Sequence, residues 1–119
     1  MDKKKILVAD DDSGILEAIT LILEDEGYEI AATSDGDSIA GLCEQVHPDL
    51  LLLDIWLGGW NGKDICRCLK SMQATRDVPI IIFSANRDTA IIAREAGAND
   101  FIEKPFDMHD LIIKVQQYL

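Results

Sequence analysis

No stretch of this chain approaches the roughly 20 apolar residues that a membrane span needs. The opening segment, Met1-Asp2-Lys3-Lys4-Lys5-Ile6, carries a basic flank, but only the four apolar residues Ile6–Ala9 precede Asp10. That is too short for a signal-peptide core, so a cytoplasmic protein is expected. Basic residues are few: 11 against 22 acidic ones, for a net charge of −11. Nucleic-acid binding rests on neutralising phosphates, so the chain is not expected to grip nucleic acid itself, although a DNA-binding partner is not excluded. The acidity reads as a solvated surface. The three cysteines, Cys43, Cys66 and Cys68, fall in helical patterns, and Cys66-Arg67-Cys68 is neither a zinc knuckle nor a C-x-x-C redox pair. They are expected to be small buried thiols in a reducing compartment. The two histidines, His47 and His109, lack ligand-like spacing and read as surface residues. There is no linker, repeat or low-complexity segment. The 119 residues read as one domain, 1–119, and an apolar fraction of 48% with 28% charged residues supplies a core rather than disorder.

What the chain does contain is an alternation of strand and helix from end to end. Strands are expected over Lys5–Ala9, Tyr28–Thr33, Asp49–Leu53, Val78–Phe83 and Asp100–Glu103. A first helix, capped by Asp12 or Ser13, runs from Gly14 to Glu26 with Ile15, Ile19, Ile22 and Leu23 on one face, and Gly27 ends it. A second starts at Asp35 or Asp37, buries Ile39, Leu42, Cys43 and Val46, and ends before Pro48. Ile55–Gly62 reads as a loop, with Asn61 capping a third helix that carries Ile65, Leu69 and Met72. Thr89–Ala96 is a short helix closed by Gly97. Asp107-Met108-His109-Asp110 opens the last helix in capping-box fashion, with Ile112, Val115 and Leu119 as its buried stripe. Right-handed crossovers then give (βα)5, a doubly wound five-stranded parallel sheet of the α/β class.

Two of the apolar runs end in acids, Ile6-Leu7-Val8-Ala9-Asp10-Asp11-Asp12 and Leu50-Leu51-Leu52-Leu53-Asp54, and Lys104 follows the fifth strand. Uninterrupted apolar runs suit strands covered on both faces, and such sheets bind ligands beyond their carboxyl ends. Asp10, Asp11, Asp54 and Lys104 could therefore meet in one crevice. Clustered carboxylates repel, a hard divalent cation relieves the repulsion, and a cation, a carboxylate and a lysine together suit phosphoryl chemistry. Taken singly these residues have plainer readings. Asp10–Asp12 would be an acidic turn capping a helix, Ser84 a strand-end hydroxyl and Lys104 a surface cation. Asp12 fits a cap better than a ligand, Phe101 half-buried packing, and Trp60 packing.

These elements, with Phe83-Ser84-Ala85 and Gly97-Ala98-Asn99-Asp100-Phe101-Ile102-Glu103-Lys104-Pro105-Phe106, resemble the receiver domain of bacterial two-component response regulators over roughly Lys4 to Leu119. The resemblance implies a flavodoxin-like three-layer sandwich with strand order 2-1-3-4-5. It implies that Asp54 is the phosphoacceptor, that Asp10 and Asp11 hold Mg²⁺ with Asp54 and the backbone carbonyl of Trp56, and that Lys104 and Ser84 contact the phosphoryl oxygens. Ala85 would keep the mouth of the site open, and Lys104-Pro105 would be cis. The partners implied are a sensor histidine kinase and a downstream effector protein or a lost C-terminal output domain. The signal would be read on the face made by the helix Thr89–Ala96, the strand Asp100–Glu103 and the last helix, which could also form a homodimer. Such a domain is not a turnover enzyme, though it catalyses its own phosphotransfer and autodephosphorylation.

The chain departs from the family pattern at Gly58, where proline is usual, and in the aromatic pair Trp56 and Trp60. The resemblance implies that Trp56 and Asn86, two residues after Asp54 and Ser84, would flank the approach of a hydrolytic water. Three other readings compete. A Mg²⁺-dependent phosphatase of the haloacid-dehalogenase type would want D-x-D-x-T/V, where this chain has Gly14. A flavodoxin-like module would want a Ser/Thr/Gly phosphate loop rather than acids. A receiver-like domain that signals without phosphate is disfavoured by the intact set Asp10, Asp11, Asp54, Ser84 and Lys104.

Overall fold

The computed structural model describes residues 3–57, 59–85 and 87–119. Gly58 and Asn86, both singled out above, lie outside the described residues. Five parallel strands form one sheet: β1 Lys5–Ala9, β2 Glu29–Thr33, β3 Leu50–Asp54, β4 Ile80–Ser84 and β5 Asp100–Glu103. Their order is β2-β1-β3-β4-β5. The helices are α1 Ser13–Asp25, α2 Ile39–Val46, α3 Gly62–Ser71, α4 Thr89–Ala96 and α5 Met108–Tyr118.

Strand alternation splits each apolar run between two cores. Leu7, Ala9, Leu51, Leu53, Ile80 and Ile82 meet α2, α3 and α4. Ile6, Val8, Leu50, Leu52, Ile81 and Phe83 meet Ile19 and Leu23 of α1 and Leu111 and Val115 of α5. Both faces of β1, β3 and β4 are covered, so every residue of β3 is buried. Each fully buried leucine stabilises the fold by roughly 1.5–3 kcal/mol relative to exposure.

The helix ends follow local chemistry. The Asp12 carboxylate accepts from the amides of Gly14 and Ile15 at 2.9 and 3.1 Å, starting α1 in the direction that points its first turn at the strand ends. Asn61 caps α3 by accepting from the Lys63 amide, and Asp107 caps α5 by accepting from His109. Gly97 closes α4 at φ +80°, a left-handed conformation that a Cβ disfavours. His47 closes α2 in the same region, at φ 51°.

Several expectations need correction. α2 is preceded by a 3₁₀ turn, Gly36–Ser38, because Asp35 caps that turn by accepting from Asp37 rather than starting the helix directly. β4 begins at Ile80, since Pro79 has no amide to donate, though its carbonyl accepts from Leu51. In α5 the wholly buried pair is Leu111 and Val115, one turn apart, while Ile112 and Leu119 are half-buried. Cys43 and Cys66 are buried as expected, but Cys68 is exposed, because it sits two residues beyond Cys66 and so across the helix. The supposed loop after β3 contains a small antiparallel ribbon, in which Trp56 pairs with Asn61 and Leu57 with Trp60. Wholly buried Leu57 pins it to the core.

The double cap at Asp12 sets a stability expectation. Asp12→Ala should lower unfolding free energy by about 1 kcal/mol, whereas Asp12→Asn should cost only a few tenths, since Asn and Asp rank alike as caps. Urea denaturation of the three proteins measures the difference.

Candidate functional site

The carboxyl edge of the sheet gathers the acids. Asp10 directly follows β1 and is fully buried, and Asp54 is the last residue of β3, 6% exposed. Asp10 continues the alternation of Ile6 and Val8, and Asp54 that of Leu50 and Leu52, so adjacent strands in parallel register deliver both carboxyls to the same side of the edge. Carboxylate oxygens of Asp10, Asp11 and Asp54 lie within 4.8 Å of one another, with Asp11 exposed.

Lys104 comes to the same point from the end of β5. Its ammonium donates to Asp10 Oδ2 at 3.0 Å and lies 3.5 Å from Asp54 Oδ1. Its stem is held by the Lys104 amide donating to the Ser84 carbonyl at 2.8 Å, and its Nζ sits 4.9 Å from the centre of the Phe83 ring, a cation–π contact. The Lys104-Pro105 peptide is cis. The remaining carboxylate valences are partly met by backbone: Asp10 Oδ1 accepts from the Asp12 amide and Asp54 Oδ1 from the Ile55 amide, both at 2.9 Å.

Ser84 ends β4 as a buried residue, with exposed Ala85 beside it. Asp10, Asp11, Asp54, Trp56, Ser84 and Lys104 all line one cavity of about 410 Å³. The structure thus brings these six site candidates together, with Ala85 beside them. Trp56 stands on the rim, 58% exposed. Asp12, expected to be a cap, is one. Phe101 is half-buried, as expected. Trp60 packs as expected, against Gly36, but remains 46% exposed.

Two supporting residues escaped the sequence reading. Gly62 opens α3 where a Cβ would run into the Asp54 carbonyl oxygen, and its amide donates to the Ile55 carbonyl at 2.5 Å. Only glycine lets α3 start this close to the back of Asp54. Wholly buried Thr89 opens α4 with its hydroxyl 3.5 Å from the Ser84 carbonyl. A glycine immediately after the Asn61 cap was a visible signal for the first; nothing local marks the second.

Burial pushes the Asp54 carboxyl up to about 6, and the neighbouring Asp10 charge adds to the rise, while Lys104 opposes both. One ammonium is shared by two buried acids, leaving net negative charge in the cluster. Three hard carboxylate oxygen donors, close together and short of positive charge, fit a small divalent cation better than a soft metal.

A family model described as the response regulator receiver domain matches residues 6–116. The DNA-binding response regulator MtrA of Mycobacterium tuberculosis (strain H37Rv) is 39% identical over 119 residues, covering 98% of this chain and 51% of its own length. The chain therefore spans about half the length of the curated relatives it matches. Among solved structures, a putative response regulator from Chloroflexus aurantiacus J-10-fl superposes with a TM-score of 0.92 at 30% identity, covering 98% of both chains. The chemotaxis response regulator CheY4 of Vibrio cholerae shares the fold, with a TM-score of 0.91 at 21% identity over 99% of this chain and 100% of that one.

The raised Asp54 carboxyl has a definite sign for stability. Between its ordinary value of 3.8 and about 6 the folded protein holds this proton more tightly than the unfolded chain. Stability contributed at low pH is therefore lost as pH rises through about 6. Asp54→Asn removes that loss. In chelator, the variant should exceed wild type by about 1–2 kcal/mol at pH 7.5, and the advantage should shrink toward zero near pH 4. Urea titrations at both pH values read it.

Proposed function

The chain belongs to the response regulator receiver family, and on that footing we propose that it is a phosphorylation-activated switch whose phosphoacceptor is Asp54. The observation that carries the proposal is the sharing of the Lys104 ammonium between Asp10 and Asp54 beside Asp11, at the open edge of the sheet. In the transfer, an Asp54 carboxylate oxygen bonds to phosphorus as the P–N bond of a kinase phosphohistidine breaks. The bond's electron pair leaves with the imidazole, which takes up a proton. Asp10, Asp11, Asp54 and the Trp56 carbonyl would hold Mg²⁺, which supplies neutralising charge to the phosphoryl oxygens. Lys104 would give its donors to those oxygens, and Ser84 its hydroxyl. Burial that raises the Asp54 carboxyl also removes water from the nucleophile, so the acid is reactive only when compensated.

The whole of 1–119 would act as one receiver unit in the cytoplasm, accepting from a sensor histidine kinase rather than turning over a free substrate. Ser84 and Lys104 are joined through backbone, Lys104 amide to Ser84 carbonyl, and they bracket α4 and β5. Changes at the phosphoryl group would then reach the α4-β5-α5 face, where an effector protein, an output domain outside these residues or a second copy could read them. MtrA is named as DNA-binding at about twice this length. With a charge of −11 here, any DNA contact in this system belongs to such an output partner, not to this chain.

Incubation with acetyl phosphate and Mg²⁺ should add one phosphoryl group by intact mass. Asp54→Asn should add none, and uptake by that variant at the wild-type rate would refute the assignment.

Trp56 on the rim sets an expectation for lifetime. Its bulk offers a single donor and would screen the phosphoryl group from water. Trp56→Asn should hasten loss of the phosphoryl group by about threefold, or about 0.7 kcal/mol in barrier. Decay in excess Mg²⁺ after removal of the donor measures this; equal decay rates would show that Trp56 is no lid.

A further inference from the structure

Helix α3 is divided in charge between its two flanks. Lys63 and Arg67 reach toward α4: the Lys63 ammonium pairs with Glu95 at 2.5 Å, and Arg67 Nε donates to the Glu95 carbonyl at 3.4 Å. Asp64 and Cys68, one position further along, turn to the other flank and face the segment that enters α2. Between them is a cavity of about 220 Å³, separate in its lining from the cavity holding Asp54. Ile65 and Leu69 form its apolar floor, Ala40 of α2 its far side, and Trp60 its wall. The indole is seated directly on Gly36, where an added Cβ would lie 2.6 Å from Trp60 Cγ. Glycine at 36 is what allows the ring to stand there.

Asp37 and Asp64 rim this cavity, both exposed, and neither carboxylate has an ion pair or hydrogen-bond partner among the described residues. No basic side chain is among the described residues lining it. An aromatic wall, an apolar floor and two uncompensated carboxylates together complement a flat cation on an apolar stem. Guanidinium meets that description better than ammonium, because it is more weakly hydrated, stacks on indole and offers donors to carboxylates in a planar fork. The volume lies below the roughly 300–1,000 Å³ of ordinary small-molecule sites. It suits one inserted side chain rather than a free cofactor or nucleotide. The net charge of −11 gives a basic partner further favourable surface around it.

We propose that the Trp60 cavity between α2 and α3 is a docking pocket for an arginine side chain presented by a partner protein. The site uses none of the groups at the Asp54 edge, and its test is independent of phosphorylation.

The chain has two tryptophans, so Trp56→Phe, at an exposed position, leaves Trp60 as the only indole. In that background, a capped hexapeptide with one central arginine should change Trp60 fluorescence saturably. The same peptide with citrulline, the uncharged isostere, should need at least tenfold higher concentration. Joint Asp37→Asn and Asp64→Asn should bring the two peptides within about twofold. Ala40→Leu, at an exposed helix position that tolerates leucine, should abolish the saturable response by filling the cavity. Equal response to citrulline, no saturable response to arginine, or an arginine preference that survives loss of both carboxylates would each overturn the proposal.

Discussion

A single ammonium stands between two buried carboxylates at the carboxyl edge of this sheet, and the surrounding structure is arranged to hold it there. Lys104 is 3.0 Å from Asp10 and 3.5 Å from Asp54. Removing either acid from water is costly, and one lysine cannot neutralise both. Part of the imbalance appears as the upward displacement of the Asp54 carboxyl to about 6. Part is met by the Asp12 and Ile55 amides. What remains is an attraction for positive charge at a point open to the outside. A site under this tension gains when a cation arrives.

The fold supplies the tension through register. β1 and β3 are neighbours, and parallel pairing of Ala9 with Leu53 places the residues that follow them side by side. Covering both sheet faces makes the runs Ile6–Ala9 and Leu50–Leu53 wholly apolar, so Asp10 and Asp54 arrive buried rather than solvated. Gly62 then brings α3 against the back of Asp54 at a distance no other residue permits. The acidic cluster and the core are continuous: moving an acid by one position would turn it to the opposite face.

Much of this was legible in the chain because period and punctuation agreed. The five βα units, the Asp12, Asn61 and Asp107 caps, and the stops at Gly27 and Gly97 all follow from local chemistry. Strand-end positions in a parallel sheet also suggested the meeting of Asp10, Asp11, Asp54 and Lys104, while the strand order and the place of Ser84 beside them came from the family resemblance. Features that depend on tertiary contact were not legible. Exposed Cys68 was read as buried because apolar period alone does not decide the flank of a helix, and Ile112 was preferred to Leu111 for the same reason. The Trp56–Asn61 ribbon looked like loop, since two-residue strands carry no periodicity. Thr89 beneath Ser84 and Trp60 on Gly36 are contacts between distant segments, with no mark in either segment alone.

The central claim is that Asp54, and not the acids around it, receives the phosphoryl group. Borohydride reduction after treatment with acetyl phosphate converts an aspartyl phosphate to homoserine, and peptide mapping then locates it. The account predicts homoserine at position 54 alone, formed with Mg²⁺ and absent in chelator. Homoserine at position 10 or 11, or at 54 to the same extent without the metal, would contradict it.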